Sequence, residues 1–344
     1  MAHGIEDVAR VAGVSTATVS RALRGIPNVA PSTRDHVLAV AHELGYVASP
    51  TAASLATGRT RTVGIISPWV NHWFHAEVIE GAEQALREHG YDALLHTFDM
   101  ERERPRRRLD PGALRRRVDG VIVVGGPLVA DEVRVVEDLG VPVVFVGSGA
   151  PGHVVVRLDD ARTARVATQH LLDLGHRVVG HVTGAVVDDG PSAPSWWRRA
   201  GWAAALADAG LAADPDLEVD GRYDVDGGRA STHVLLDRRR EVTGVFAASD
   251  EMAMGVVLAA RDRGLRVPED LSVVGVDGHA LGELVGLTTM VQPAVRQGGA
   301  AARVLLDRVA GEPLPPGDVV FGTELLVRSS TAAPRVGALA GREG

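Results

Sequence analysis

The side chains between Ser15 and Arg21 have the chemistry to read DNA, because they combine hydroxyl groups with a single guanidinium. Ser15 is a natural N-cap for a helix that starts at the next residue, and the Arg21 fork suits the O6 and N7 atoms of guanine. Another helix must precede this one and pack against it. Ala9 permits the two helices to cross closely, Gly13 suits the sharp turn between them, and Val19 would pack the DNA-reading helix onto the preceding one. The spacing predicts a helix-turn-helix, which lays its second helix in the major groove.

A second set of polar residues lies where predicted strands end. Asp277 ends the run Ser272–Asp277, and its carboxylate could accept hydrogen bonds from two hydroxyls of a small ligand. Ser249 and Asp250 follow the run Gly244–Ala247 in the same way, although Asp250 could instead cap the helix that comes next. Open α/β sheets bind ligands at the carboxyl ends of their strands. These three residues are therefore predicted to bind a small polar effector.

Aromatic residues are scarce, and most of the tryptophans stand in two clusters. Trp73 and Phe74 follow the first strand of the body, and Trp197 lies in the second cluster. Aromatic faces pack against the C–H faces of sugars and stack on purine rings. Trp73, Phe74 and Trp197 are thus predicted to line the effector pocket, whereas Trp202 is expected in the core.

The elements that position these residues follow from an alternation of β-rich runs and amphipathic stretches after Val63. The runs are Val63–Ser67, Ala93–His96, Val121–Val124, Val143–Val146, Val154–Leu158, Val178–Val182, Gly244–Ala247, Ser272–Asp277 and Thr289–Gln292. The helical stretches end at Gly90, Gly140, Gly175, Gly210, Gly264 and Gly311, since glycine suits the left-handed position after a helix. Such alternation predicts parallel sheets covered by helices, and its length favours two α/β lobes with a cleft between them.

Between the head and this body, residues 46–60 are poor in bulky apolar side chains. They could form one or two helical turns but could not fold alone. A plain linker and a hinge helix that orders on DNA are both consistent with this segment. Residues 32–45 carry apolar residues at helical spacing and predict a third helix behind the other two.

Composition limits the classes of function. The chain has 344 residues and no cysteine, which excludes disulfides, thiolate metal sites and a cysteine nucleophile. The net charge is −8, but residues 1–61 carry six arginines against four acidic residues, so DNA would be directed to the head. No signal-peptide core and no membrane-spanning run is evident, and we expect a cytoplasmic protein.

Three other patterns in the sequence resemble functional motifs, but each favours a simpler interpretation. Residues 147–152 fit G-x-G-x-x-G, but a strand-like run follows them where a dinucleotide site needs a helix N-terminus. His72 and His75 share a helical face without an evident third ligand, so we predict no metal. The arginines between 102 and 117 are interpreted as a solvated surface in preference to a second DNA site. We expect no cofactor.

By its motifs the chain resembles the lactose-repressor/galactose-repressor family of bacterial transcription regulators. The head motifs are DVARVAGVSTATVSR at 7–21, Thr33-Arg34, ELGY at 43–46 and Ser54-Leu55. The body motifs are VDGVI at 118–122, LLDLGHR at 171–177, RRAGW at 198–202, FAASDEMAMG at 246–255, VPEDLSVVGVD at 267–277 and LTTMVQ at 287–292.

The resemblance implies a homodimer that reads a pseudo-palindromic operator and carries a body with the periplasmic sugar-binding fold. It implies a helix-turn-helix domain over residues 1–48, a hinge over 49–60, an effector-binding and dimerisation domain over 61–334, and a flexible tail over 335–344. The first lobe would comprise about 61–160 and 290–320, and the second about 161–288 and 324–330.

The same resemblance assigns base-reading positions to Thr16, Ala17 and Arg21, with a phosphate contact as the alternative for Arg21. Contacts to the DNA backbone are expected from Ser15, Ser20, Asn28, Thr33 and Arg34. Leu55 resembles the family's wedge leucine, which enters the minor groove and kinks the central base step. Ala53 stands where many relatives have arginine, so the hinge lacks that charged contact.

In the cleft, Arg198 matches the family's effector-binding arginine and Tyr223 matches an aromatic residue of its pocket. Ser249 replaces the asparagine of many sugar-responsive relatives, which puts one sugar contact in question. The predicted function is that of a repressor of a carbohydrate-utilisation operon, with no enzymatic activity. The alternatives are a solute-binding receptor without DNA function and a regulator that responds to a nucleobase. Induction and co-repression would use the same residues.

Overall fold

The computed structural model describes residues 3–23, 28–46, 59–98, 110–126, 128–184 and 190–335. The chain divides into two compact units, Met1–Arg61 and Thr62–Gly344. The hinge with Leu55 and Ala53, the arginines from 102 to 109 and the tail from 336 lie outside the described residues. No helix among the described residues combines the length and apolarity needed to cross a membrane.

The first unit is a three-helix head composed of α1 (Ile5–Ala12), α2 (Thr16–Leu23) and α3 (Pro31–Glu43). Gly13 has a φ of 65° and its N–H bonds the carbonyl of Ala9, so the left-handed glycine ends α1 and turns the chain into α2. Val8, Val19 and Val37 are fully buried where the three helices meet. The predicted helix-turn-helix with a supporting third helix is therefore confirmed.

The second unit contains two sheets, each of which forms the centre of one lobe. The first sheet orders its strands as β11 (Val319–Phe321), β5 (Val154–Leu158), β4 (Val143–Val146), β3 (Gly120–Val124), β1 (Thr62–Ser67) and β2 (Asp92–Thr97), all paired in parallel. The second orders them as β12 (Glu324–Leu326), β10 (Thr288–Val291), β9 (Ser272–Asp277), β8 (Gly244–Ala247), β6 (Val179–Thr183) and β7 (Glu218–Asp220). Only the β10–β12 pair of this sheet is antiparallel, within the described residues.

Helices cover these sheets. They are α4 (Trp73–Glu88), α5 (Ala130–Glu137), α6 (Asp160–Asp173), α7 (Pro194–Asp208), α8 (Val225–Arg238), α9 (Asp250–Asp262) and α10 (Ala294–Ala310), with short 3-10 turns at Pro111–Ala113, Gly190–Ser192, Pro215–Leu217 and Ala280–Val285. All six predicted helix-ending glycines have positive φ, from 68° to 103°. The predicted architecture of two parallel-sheet lobes behind an all-helical head is confirmed.

Two details differ from the sequence-based expectation. β10 pairs with β9 from Thr288 to Val291, so the second sheet continues a few residues past the lobe boundary expected near 290. The chain returns to the first lobe with α10, which packs on α4. The three-residue strands β7 and β11 were absent from the expectation, because each lies at or next to a sheet edge and carries too short an apolar run to predict a strand.

The contact between α4 and α10 depends on glycine. A Cβ atom at Gly298 would stand 2.0 Å from the carbonyl oxygen of Val78, whereas at the adjacent Gly299 the nearest atom would be 3.4 Å away. We expect Gly298→Ala to lower the free energy of unfolding by about 1–3 kcal/mol, because the helices must separate. Gly299→Ala should raise it by up to about 1 kcal/mol through helix propensity. Urea unfolding of both variants tests this, and equal effects would contradict the close packing.

Candidate functional site

The residues predicted to read bases lie on one exposed face of α2. Thr16, Ala17 and Arg21 are exposed, while Val19 on the opposite face is buried in the head. Ser15 accepts the N–H of Thr18 with its hydroxyl at 3.2 Å and so caps the helix, as predicted. The Nε of Arg21 donates to the carbonyl of Ala17 at 3.1 Å, so the terminal nitrogens of this exposed side chain remain available to another acceptor.

The residues expected to contact the DNA backbone flank this face. Asn28 is exposed, Ser20 is half-buried on α2, and Thr33 and Arg34 are half-buried in the first turn of α3. A helix N-terminus presents unpaired N–H groups that suit a phosphate. Thr33 and Arg34 therefore lie where a phosphate could bind, and the roles of all four side chains stay predictions.

At the body, Arg198 is the centre of a buried charged group. Its Nε donates to Asp160 Oδ1 at 2.8 Å, and its Nη1 donates to the carbonyl of Ala248. Burial alone would lower the pKa of Arg198, but the Asp160, Tyr223 and Asp277 side chains outweigh it and raise the pKa above its ordinary value. Asp160, Tyr223 and Asp277 thus lie within electrostatic reach of Arg198.

Asp160 was missed by the sequence analysis. It is the first residue of α6 and the second residue after β5, so the strand-end rule that predicted Asp277 would also have found it. The carboxylate is buried beside Arg198, and burial raises its pKa despite the arginine's attraction. Because a buried guanidinium requires a compensating charge, Asp160 holds Arg198 in place.

Asp277 is the last residue of β9 and is also buried. Its φ of 139° is rare for a residue other than glycine, and such strain concentrates at functional sites. Its carboxylate accepts hydrogen bonds from the Gln292 side-chain amide and, at 3.3 Å, from the Asp250 N–H. Burial and the neighbouring Asp250 carboxylate raise the pKa of Asp277 well above its usual range.

Ser249 and Asp250 have partners within the protein. The Ser249 hydroxyl accepts the N–H of Met252 and so caps α9. The cap is therefore Ser249 and not Asp250, the alternative that the sequence offered. Asp250 Oδ2 accepts the N–H groups of Gly278 and His279 at 2.9 and 2.8 Å, and its Oδ1 accepts the Thr289 hydroxyl at 2.6 Å. Burial raises the pKa of Asp250 to about 6. Asp250 therefore positions the loop that follows Asp277.

Two of the predicted aromatic residues lie at the start of α4 and face the cleft region. The Trp73 ring lies 5.8 Å from the ring of His279, which belongs to the second lobe. The Phe74 ring lies against the backbone of Gly147, where a Cβ would be 3.2 Å from Phe74 Cε1. Trp73 thus contacts the opposite lobe, and Phe74 packs on the loop that follows β4.

Two of the three tryptophans around Arg198, Trp197 and Trp202, have different roles. Trp197 has 39% of its surface exposed and donates its indole N–H to the carbonyl of Pro191 at 2.9 Å. Trp202 is 2% exposed and donates to the carbonyl of Val179, which confirms its place in the core.

A histidine joins the two lobes near this group. His72 Nδ1 donates to the carbonyl of Tyr223 at 3.0 Å and lies 3.4 Å from Glu251 Oε2, both in the second lobe. The Tyr223 ring in turn lies against Gly184, where a Cβ would collide with it. The Glu251 carboxylate raises the pKa of His72 despite partial burial. Sequence reasoning weighed His72 only as a metal ligand, because its partner comes from a distant part of the chain.

We expect this contact to make stability depend on pH. A raised folded pKa means that the stabilisation is fully present below the unfolded pKa of 6.5 and is lost as pH rises through the folded value. His72→Ala should therefore destabilise the protein more at pH 6 than at pH 8, by less than about 1 kcal/mol. Urea unfolding at both pH values checks this. In a Glu251→Gln background, the difference between the effects of His72→Ala at pH 6 and at pH 8 should be smaller. An identical loss at both pH values would contradict it.

Known protein families match both the head and the body of the chain. Residues 4–49 match the family of bacterial regulatory proteins named after lacI, and residues 168–331 match a periplasmic binding protein-like domain. Catabolite control protein A of Priestia megaterium is 35% identical over 331 residues, which cover 95% of this chain and 98% of that protein.

Two solved structures extend the likeness to the fold. A complex of the transcriptional regulator CelR with cellobiose has a TM-score of 0.71 and 33% identity, covering 95% of this chain and 99% of the other. A lac repressor dimer bound to operator and the anti-inducer ONPF has a TM-score of 0.82 and 25% identity, covering 97% of this chain and all of the other. With a helix-turn-helix head, a two-lobed body and this identity along nearly its whole length, the chain belongs to the lacI family of bacterial regulatory proteins.

Proposed function

We propose that this regulator binds a pseudo-palindromic operator as a homodimer in the cytoplasm, and that a sugar bound between its lobes controls operator affinity. As a member of its family the chain is a DNA-binding transcriptional regulator rather than an enzyme. The observation that carries the proposal is the buried group of Arg198, Asp160 and Asp277, because such a group is costly to bury without a function.

On the DNA side, Thr16, Ala17 and Arg21 are proposed to contact base edges in the major groove. Their exposure on one face of α2 supports this role. Backbone contacts are assigned to Ser15, Ser20, Asn28, Thr33 and Arg34, and the minor-groove wedge is assigned to Leu55. Phosphate contacts set the register of the head, so that specificity rests on the first three residues.

On the effector side, Arg198 and Asp277 are proposed to bind sugar hydroxyls in the cleft. The Arg198 guanidinium would donate hydrogen bonds to these hydroxyls, and the Asp277 carboxylate would accept them. Trp73, Phe74, Tyr223 and Trp197 would form its walls, because aromatic faces suit the C–H faces of sugars. Asp250 would act by positioning the loop that follows Asp277, because it accepts two N–H groups of that loop and the Thr289 hydroxyl, and Ser249 would act by capping α9. The cellobiose complex of the relative CelR supports a sugar as the effector class.

The homodimer is supported by an exposed apolar surface on the 3-10 turn Ala280–Val285. Leu281, Leu284 and Val285 are 53%, 81% and 37% exposed. Apolar side chains clustered on a surface favour an interface, and a second copy of the chain is the proposed occupant. The turn follows the loop that Asp250 holds, so effector binding at Asp277 would reach the dimer surface directly.

The proposal is tested in two steps on the full chain. First, selection of bound sequences from random duplex DNA should yield a motif with two-fold symmetry, as expected for two heads on one site. Second, the selected operator is titrated with and without sugars that stabilise the protein in a thermal-shift screen. A ligand at 100 times its Kd should add about 2.7 kcal/mol of stability.

Each rival function predicts a different result. A solute-binding receptor would select no DNA motif at all. A regulator that responds to a nucleobase would select a DNA motif, but a nucleobase rather than a sugar would stabilise it in the thermal-shift screen. The effector and operator must couple reciprocally, commonly by about 1–3 kcal/mol, so a sugar that binds without changing operator affinity would contradict the proposed control.

A further inference from the structure

A cavity of about 300 Å³ opens between the two lobes beside the Arg198 group. The loop that follows β4 forms its first-lobe wall, with Gly147 and Gly149 to His153. Residues 191–194 and Trp197 form its second-lobe wall, and Gly149 N donates to the Ser192 carbonyl at 3.0 Å to join the two walls. This volume lies at the small end of the range for ligand sites, about 300–1,000 Å³.

The cavity and the Arg198 group share a residue. Asp160 lines the cavity and also binds Arg198 Nε at 2.8 Å. Gly147 lines the cavity from the other lobe and supports the Phe74 ring. Because Asp160 belongs to both, a ligand unit in the cavity would lie next to the Arg198 group.

The charges around the cavity are matched. Arg157 Nε donates to Asp318 Oδ2 at 2.7 Å, and His153 Nε2 lies 3.0 Å from Glu137 Oε1. Asp160, the remaining charged lining residue, is paired with Arg198. An anionic or cationic group would find no uncompensated partner among these residues, so the cavity suits an uncharged ligand.

Trp197 gives the cavity an aromatic surface. Its indole N–H donates to the Pro191 carbonyl, which fixes the ring, and Trp197 lines the cavity together with Pro191 and Pro194. A fixed indole face with proline neighbours suits the C–H face of a pyranose ring. The adjacent Trp196 is 41% exposed but does not line the cavity.

We infer that the effector contains at least two linked sugar units, of which one binds at Arg198 and Asp277 and the next rests on Trp197. This inference rests on the proposed effector site and adds a second subsite to it. The first subsite supplies charged hydrogen-bonding groups, and the second supplies a surface without unpaired charge. Discrimination between a disaccharide and its monosaccharide would therefore depend on Trp197.

The test is calorimetric titration of the full chain with matched pairs of probes: glucose against cellobiose and maltose, galactose against lactose, and xylose against xylobiose. One disaccharide should bind at least tenfold more tightly than its monosaccharide. Trp197→Ala should remove that advantage, and Trp196→Ala, the matched control, should retain it. Asp277→Ala should weaken both members of the pair.

Three results would overturn the inference. They are equal affinity for the disaccharide and the monosaccharide in every pair, an advantage that survives in Trp197→Ala, and an advantage lost equally in Trp196→Ala. In each case a loss of binding in Asp277→Ala would leave the proposed effector site intact. Binding of no sugar in the panel would overturn the second subsite together with the sugar effector, and the operator selection would then show whether DNA recognition stands.

Discussion

Asp277→Asn should abolish the response to effector and leave operator binding without effector close to that of the parent protein. A hydrogen bond to a charged group contributes about 1.5–3 kcal/mol, and asparagine offers one neutral acceptor oxygen in place of two charged ones, so effector binding should weaken by up to about 100-fold. Asparagine preserves the shape of the side chain and tolerates the φ of 139° better than most residues. The measurement is fluorescence anisotropy of labelled operator across a range of effector concentrations.

Stability separates loss of function from loss of folding in this variant. The pKa of Asp277 is raised in the folded protein, so the ionised carboxylate costs stability above its unfolded pKa. Asp277→Asn removes that cost and should not lower the unfolding midpoint at neutral pH. Asp262→Asn is a suitable control, because Asp262 is a surface carboxylate of the same lobe paired with Arg229. If the Asp277→Asn protein responded to effector with the same midpoint concentration as the parent protein, Asp277 would not belong to the effector site.

The sequence predicts those strands and helix ends that have a recognisable pattern of residues within their own segment. Runs such as Val143–Val146 are buried along their whole length, and parallel strands covered on both faces show as continuous apolar segments. Glycines such as Gly140 and Gly264 mark helix ends because only glycine adopts a left-handed conformation without strain. β7 has no such pattern, since a three-residue edge strand is specified by its partner β6 rather than by its own sequence.

The candidate site was only partly accessible to the same reasoning. Asp277 was predicted from its position at a strand end, but Arg198 lies within α7 and was identified only by resemblance. Its partner Asp160 comes 38 residues earlier, and no local spacing indicates such a pair. Whether Asp250 binds a ligand or a loop depends on where the loop after β9 lies, which is a property of the folded lobe.

Arg21→Ala should lower affinity for the selected operator by about 10- to 100-fold, because a bidentate contact to guanine contributes about 1–3 kcal/mol of discrimination. Binding to unrelated duplex DNA should change much less. The geometry favours a base contact, since the Nε of Arg21 is fixed on the Ala17 carbonyl and the side chain belongs to the exposed face of α2. Anisotropy titrations on both DNAs measure the two losses.

The alternative for Arg21, a phosphate contact, predicts a different pair of results. Affinity would then fall equally on operator and unrelated DNA, and the salt dependence of binding would weaken by about one released counterion. Arg10→Ala provides the control for charge, because Arg10 is an exposed arginine of the same head whose guanidinium pairs with Asp7 at 2.6 Å on α1. A selective loss in Arg21→Ala that is absent from Arg10→Ala would therefore assign base recognition to Arg21, because both variants remove the same charge.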